Sequence, residues 1–128
     1  METSKKLINP SSKQLDKYQL NQKQLQEFFY MLKREYKKLT EIFKHIKLKE
    51  IKGKEKEIKE SDQIQQQIRQ LFQLALAYWK DLQYWMQRRE WVKAFELINY
   101  IWGLLDGLAT LKAIKVPKKT KPWFKAEF

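Results

Sequence analysis

Apolar side chains recur at Leu25, Phe28, Phe29, Leu32, Tyr36, Leu39, Ile42, Phe43 and Ile46, in steps that line one face of a helix. The other side of that helix carries Lys23, Lys33, Arg34, Lys37, Lys38 and Lys44. After Pro10, Ser11 or Ser12 suits the amino-terminal cap, and Asn21 offers a later start. The period fades over Lys47–Lys59, where Gly53 sits in a Lys/Glu run that reads as an exposed connection. Ser61 or Asp62 then caps a second stripe through Ile64, Ile68, Leu71, Phe72, Ala75, Tyr78, Trp79, Leu82, Trp85 and Met86. Arg88-Arg89-Glu90 interrupts it, and a third helix runs from Trp91 to about Lys112, short of Val116-Pro117. The predicted helices cover about 12–47, 62–88 and 91–112, after a flexible stretch 1–11 and before a tail 114–128.

The third helix differs from the first. Its charges between Trp91 and Leu111 are Lys93, Glu96 and Asp106, so it is apolar nearly all round and belongs inside a bundle or in a subunit interface. The expected fold is all-α: a three-helix antiparallel bundle with a long first helix and a basic aromatic tail. If the last two helices turn at Arg89, position n on one faces about 178 minus n on the other. Gly103 then falls level with Ala75, and Gly107 with Leu71. Glycines inside a helix cost about 1 kcal/mol each, so Ala75, Gly103 and Gly107 are expected to mark a close approach of two backbones. The alternative is a kink.

Composition narrows the function. The chain has 128 residues, 43% hydrophobic and 33% charged, with no cysteine and a formal charge of +12. One domain fits that length, and disulfides and thiolate chemistry are excluded. The net charge is +6 over 1–50, +1 over 51–60, zero over 61–111 and +5 over 112–128. Basic ends therefore flank a neutral, apolar centre, a pattern that suits cationic surfaces aimed at an anionic partner. No run approaches the ~18 apolar residues of a spanning helix, and the first residues are too short of apolar character for a signal peptide. A cytoplasmic location without membrane contact is the expectation.

The stretch from Tyr78 to Gly107 holds Tyr78-Trp79-Lys80-Asp81, Tyr84-Trp85-Met86, Glu90-Trp91-Val92-Lys93-Ala94-Phe95 and Ile98-Asn99-Tyr100-Ile101-Trp102-Gly103-Leu104-Leu105-Asp106-Gly107. It resembles the small archaeal "domain of unknown function 357" family, with its aromatic pair before Asp, its Ala-Phe helix and its Tyr-x-x-Gly-x-Leu-Asp ending. The resemblance implies a helical bundle from an archaeal cytoplasm and carries no catalytic signature. Where the family has Gly-Asp at the turn, this chain has Arg89-Glu90, which predicts a looser or differently bent turn because Glu caps poorly. Ile101 also stands where the family favours a small residue.

Candidate chemistry is sparse. Asp81 and Asp106 are the acids of the apolar region, but the register separates them by about 13 Å along the axis, too far for a hydrolytic carboxylate pair. Each is expected to accept hydrogen bonds from a buried ring such as Tyr78, Tyr84 or Tyr100. His45 has no second ligand at helical spacing, and Leu39-Thr40-Glu41 lacks the Arg that ribonuclease toxins on small helical bundles place ahead of their His. No phosphate-cradling glycine loop is present. Neither an enzyme, nor a metal site, nor a cofactor is expected.

The tail sets Lys115, Lys118, Lys119, Lys121 and Lys125 around Pro117, Pro122, Trp123 and Phe124. Lysines interleaved with aromatics suit single-stranded or structured RNA. Equally, Trp123 and Phe124 can fold back as a clip on the bundle. The expected role is a non-enzymatic nucleic-acid-binding accessory protein, RNA favoured over DNA. Its contacts would be Lys37, Lys38, Arg88, Arg89, Lys118, Lys119 and Lys121, with Trp123 stacking. The alternative is a protein-interaction scaffold with an acidic partner or a second copy, joined through the third helix.

Overall fold

A computed structural model describes residues 15–49 and 58–128. The expected amino-terminal stretch 1–11 and Gly53 lie outside them. Helix makes up 78% of the described residues, so the protein is mostly helical, as the periodicity implied.

Helix α1 spans Gln22–His45. Of the two starts open in the sequence, the later one is used: Asn21 Oδ1 accepts from the Gln24 amide at 2.8 Å, and Gln24 Oε1 accepts from the Asn21 amide at 3.0 Å. That reciprocal pair satisfies two amides that an open helix end leaves unpaired. Ahead of it, Asp16–Tyr18 form one 3-10 turn rather than the expected first α-turns. Helix α2 spans Ile58–Gln87, so Ser61 and Asp62 lie inside it rather than at its cap, and it is longer than α1. Helix α3 spans Trp91–Thr110.

The joint between α2 and α3 is tight, contrary to the expectation of a looser turn. The Glu90 amide donates to Trp85 O (3.0 Å) and the Arg89 amide to Met86 O (3.2 Å), with Arg89 at φ 59°. These bonds close a Schellman motif, with Arg89 in the left-handed position that usually falls to glycine. The end of α3 repeats it: Lys112 has φ 56° and donates to Ala109 O (2.9 Å), and Ala113 donates to Leu108 O (3.0 Å).

Two short strands were not anticipated. Lys47–Leu48 (β1) and Ile114–Lys115 (β2) pair antiparallel, with Lys47 opposite Lys115 and Leu48 opposite Ile114. The Lys49 amide extends the pairing to Ala113 O at 2.7 Å. Two-residue strands fall below the length at which alternation is readable, and their bonds join segments far apart in the chain.

Helices α2 and α3 share the most extensive contact. Ile68, Phe72, Ala75 and Leu82 of α2 are buried with Ala94, Ile98, Ile101, Leu105 and Leu108 of α3. Their register follows the expected arithmetic: Lys93 Nζ lies 4.2 Å from the Trp85 ring centroid, and the Tyr78 and Tyr100 rings lie 6.1 Å apart. The first helix joins through rings. Trp79 stacks on both Tyr36 (5.4 Å) and Phe43 (4.8 Å), while Phe28 meets Phe95 and Phe29 meets Trp91.

The glycines depart from expectation. Ala75 is fully buried, but Gly103 and Gly107 are exposed, and a Cβ built on either would meet nothing within 4 Å. They admit no neighbouring backbone from α2. Register fixes the height of a residue along the axis but not its azimuth. Gly103 is level with Ala75, yet two positions from buried Leu105 it points about 160° away from that side chain.

Candidate nucleic-acid interface

The tail decides the shape of the basic surface. After Pro117, residues Lys118–Trp123 form a 3-10 helix around Thr120, which is fully buried and donates through Oγ1 to Pro117 O at 2.7 Å. Phe124 is 7% exposed and meets the edges of Trp102 (5.6 Å) and Phe128 (4.9 Å). The tail is therefore docked, and the clip expected as one alternative is present.

Asp106 holds that clip. Its Oδ1 accepts from the Lys125 amide at 2.8 Å and the Ala126 amide at 3.3 Å. This corrects the expectation of a tyrosine or tryptophan donor: the donors are backbone groups contributed by a segment the sequence left unplaced. Asp81 is exposed on α2, and among the described residues its carboxylate accepts no hydrogen bond, so the expected ring donor is not there either.

Docking brings part of the expected contact set together. Lys38 Nζ stands 6.0 Å from the Trp123 ring centroid, and Lys119 Nζ lies 3.2 Å from Glu41. Lys38, Lys119 and Trp123 thus meet where the tail crosses α1, with Lys37 and Lys118 exposed next to them in the chain and Lys121 beside Phe128. Arg88 and Arg89 do not join them. They sit at the α2–α3 turn, about 18 Å along α3 from the Trp102–Phe124 contact. There Arg88 stands over Tyr84 at 5.3 Å, and Arg89 is half-buried.

Several lysines are already engaged. Glu35 pairs with Arg34 and Lys38, each at 3.2 Å, and Glu41 pairs with Lys44 at 3.3 Å as well as with Lys119. Hydrogen bonds from Lys119 and then Lys44 hold the Glu41 carboxyl below the usual carboxylate range. Burial among rings raises the Tyr36 hydroxyl above its usual value. Lys121 stands 5.5 Å from the Phe128 ring. Trp123 is half-buried and Phe124 is in the core, so less ring surface is free to stack than the bare sequence suggested. Tyr30 and Tyr84 are more open, at 69% and 49% exposure, each with an arginine beside it.

Lys115 stood among the tail lysines, but Lys47 and its place opposite Lys115 on the bridge were missed. A faint signal existed in Ile46-Lys47-Leu48 and Ile114-Lys115-Val116, both alternating apolar and charged. His45 is exposed in the last turn of α1. Among the described residues no cluster of three His, Cys, Asp or Glu side chains can hold a metal ion, and no helix is long and apolar enough to cross a membrane. Comparison with protein-family models, curated proteins and solved structures finds no match.

Proposed function

We propose that this protein is a non-enzymatic nucleic-acid-binding accessory protein, RNA favoured over DNA, built as a three-helix antiparallel bundle that acts in the cytoplasm. The observation that carries the reading is the docking of a lysine-rich tail on the lysine-rich helix α1, through Trp123 with Lys38 and Lys119 with Glu41. A frame of that kind presents Lys37, Lys38, Lys118, Lys119 and Lys121 in fixed relation to each other. Phosphate contacts of this type are non-specific and strongly salt-dependent. The resemblance of the Tyr78–Gly107 stretch to a small archaeal family suggests the cellular setting.

The test is fluorescence anisotropy with an oligouridine and with a DNA duplex across a range of KCl. Lys118→Glu/Lys121→Glu is expected to weaken oligouridine binding several-fold at moderate salt. Unchanged affinity refutes the role of the tail.

A second reading, a scaffold that pairs with another copy through α3, draws on one observation. Leu71 and Leu74 of α2 and Tyr100 and Leu111 of α3 are exposed, beside the open surfaces at Gly103 and Gly107. A pull-down with and without nuclease separates the readings, because partners that survive nuclease favour the scaffold.

A further inference from the structure

The β1–β2 bridge sets two like charges against each other. Lys47 and Lys115 are cross-strand partners and both are exposed, while in the neighbouring pair Leu48 is half-buried and Ile114 fully buried. Residues directly opposite on such a ladder hold their Cβ atoms about 4.5–5.5 Å apart on one face, and like charges there destabilise the pair. Among the described residues no ion pair relieves either lysine. The last acid of α1, Glu41, is held by Lys44 and Lys119. Further cations stand on both sides in the chain, Lys44 in the last turn of α1 and Lys118 at the start of the tail's 3-10 helix. The fold does not require this arrangement, since an outward position on the bridge accepts any polar residue. A Lys–Glu pair would serve stability better.

We infer that the outward face of the β1–β2 bridge is a phosphate-contact site, where Lys47 and Lys115 straddle the sugar-phosphate backbone of a bound nucleic acid. The inference rests on the nucleic-acid reading above and adds to it a contact made at the bridge itself, by Lys47 just after α1 and Lys115 at the head of the tail. A phosphodiester between two ammonium groups turns their repulsion into two attractions. The flexible four-carbon stems let each lysine adjust its reach. Because β1 follows α1 directly and β2 leads into the tail, the site extends the basic surface formed where those two elements meet.

Oligouridine affinity is measured against KCl for the wild type, for Lys47→Gln/Lys115→Gln, and for Arg69→Gln/Lys80→Gln, a control that removes two exposed cations from α2. Losing two phosphate contacts lowers the slope of log K against log salt by about 1.4, while the control keeps the wild-type slope. An unchanged slope in Lys47→Gln/Lys115→Gln overturns the inference. Lys47→Glu supplies a second reading: its Tm rises by a few degrees as repulsion becomes attraction, and its affinity falls. A risen Tm with undiminished affinity also overturns the inference. If the wild type binds no oligonucleotide, the nucleic-acid reading fails, and melting in inorganic pyrophosphate decides the site by itself. A Tm rise in the wild type that Lys47→Gln/Lys115→Gln loses upholds an anion site there, and equal behaviour of the two removes it.

Discussion

Truncating Phe124 to alanine removes the buried ring contact of the docked tail and leaves the Asp106 hydrogen bonds in place. The side chain is 7% exposed and lies edge-on to Trp102 and Phe128. Removing a buried phenyl ring costs about 3–5 kcal/mol when the surroundings cannot collapse. Here the tail can release while the helices stay folded, so the loss is limited by the free energy of docking, and the lower value applies. About 3 kcal/mol raises the released population roughly 100-fold. Trypsin reads that population, because Lys118 and Lys119 lie in the 3-10 turn wound around buried Thr120. When opening and closing are fast relative to cleavage, the cut rate follows the open fraction. Phe124→Ala is therefore expected to be cleaved after Lys118 and Lys119 about 100-fold faster than the wild type, followed by mass spectrometry. Its helical circular dichroism should be retained. Equal cleavage rates would refute the reasoning, since they would mean that the ring does not hold the tail down.

Two further outcomes follow from backbone and charge. Gly103 lies in an exposed helix interior with open space at its Cβ position, so Gly103→Ala should stabilise by about 1 kcal/mol in a thermal melt; destabilisation would restore a close-packing role. Glu41 has a lowered pKa in the folded state, first through Lys119 and then Lys44. Its contribution to tail docking is accordingly complete above the ordinary carboxylate pKa and is lost as pH falls through the lowered folded value. Lys119→Gln should move that value upward in a carboxyl NMR titration, and no movement would deny the pairing.

The helices were legible because each is written locally. A stripe such as Ile68, Phe72, Ala75 and Leu82 repeats with the turn of the helix, and the Arg88-Arg89-Glu90 break sets the hairpin register that Trp85–Lys93 and Tyr78–Tyr100 follow. The turn was legible only in part: Glu90 makes no side-chain cap bond, as expected, but the turn is not slack. The absence of glycine suggested slack, whereas the Schellman bonds of Glu90 and Arg89 hold with a non-glycine residue in the left-handed position. The glycines were misread for a related reason, since a repeat gives height along a helix more readily than facing direction.

By itself, the chain determined its helical character, the pairing register of the last two helices and the concentration of positive charge at its ends, since all three follow from residues near one another in sequence. Only the tertiary structure decided where those charges meet. Asp106 receives the amides of Lys125 and Ala126, Lys38 stands by Trp123, and Lys47 faces Lys115. Each of these joins residues separated by long stretches of chain. No local period encodes such contacts, because they depend on which faces remain uncovered once the helices have packed.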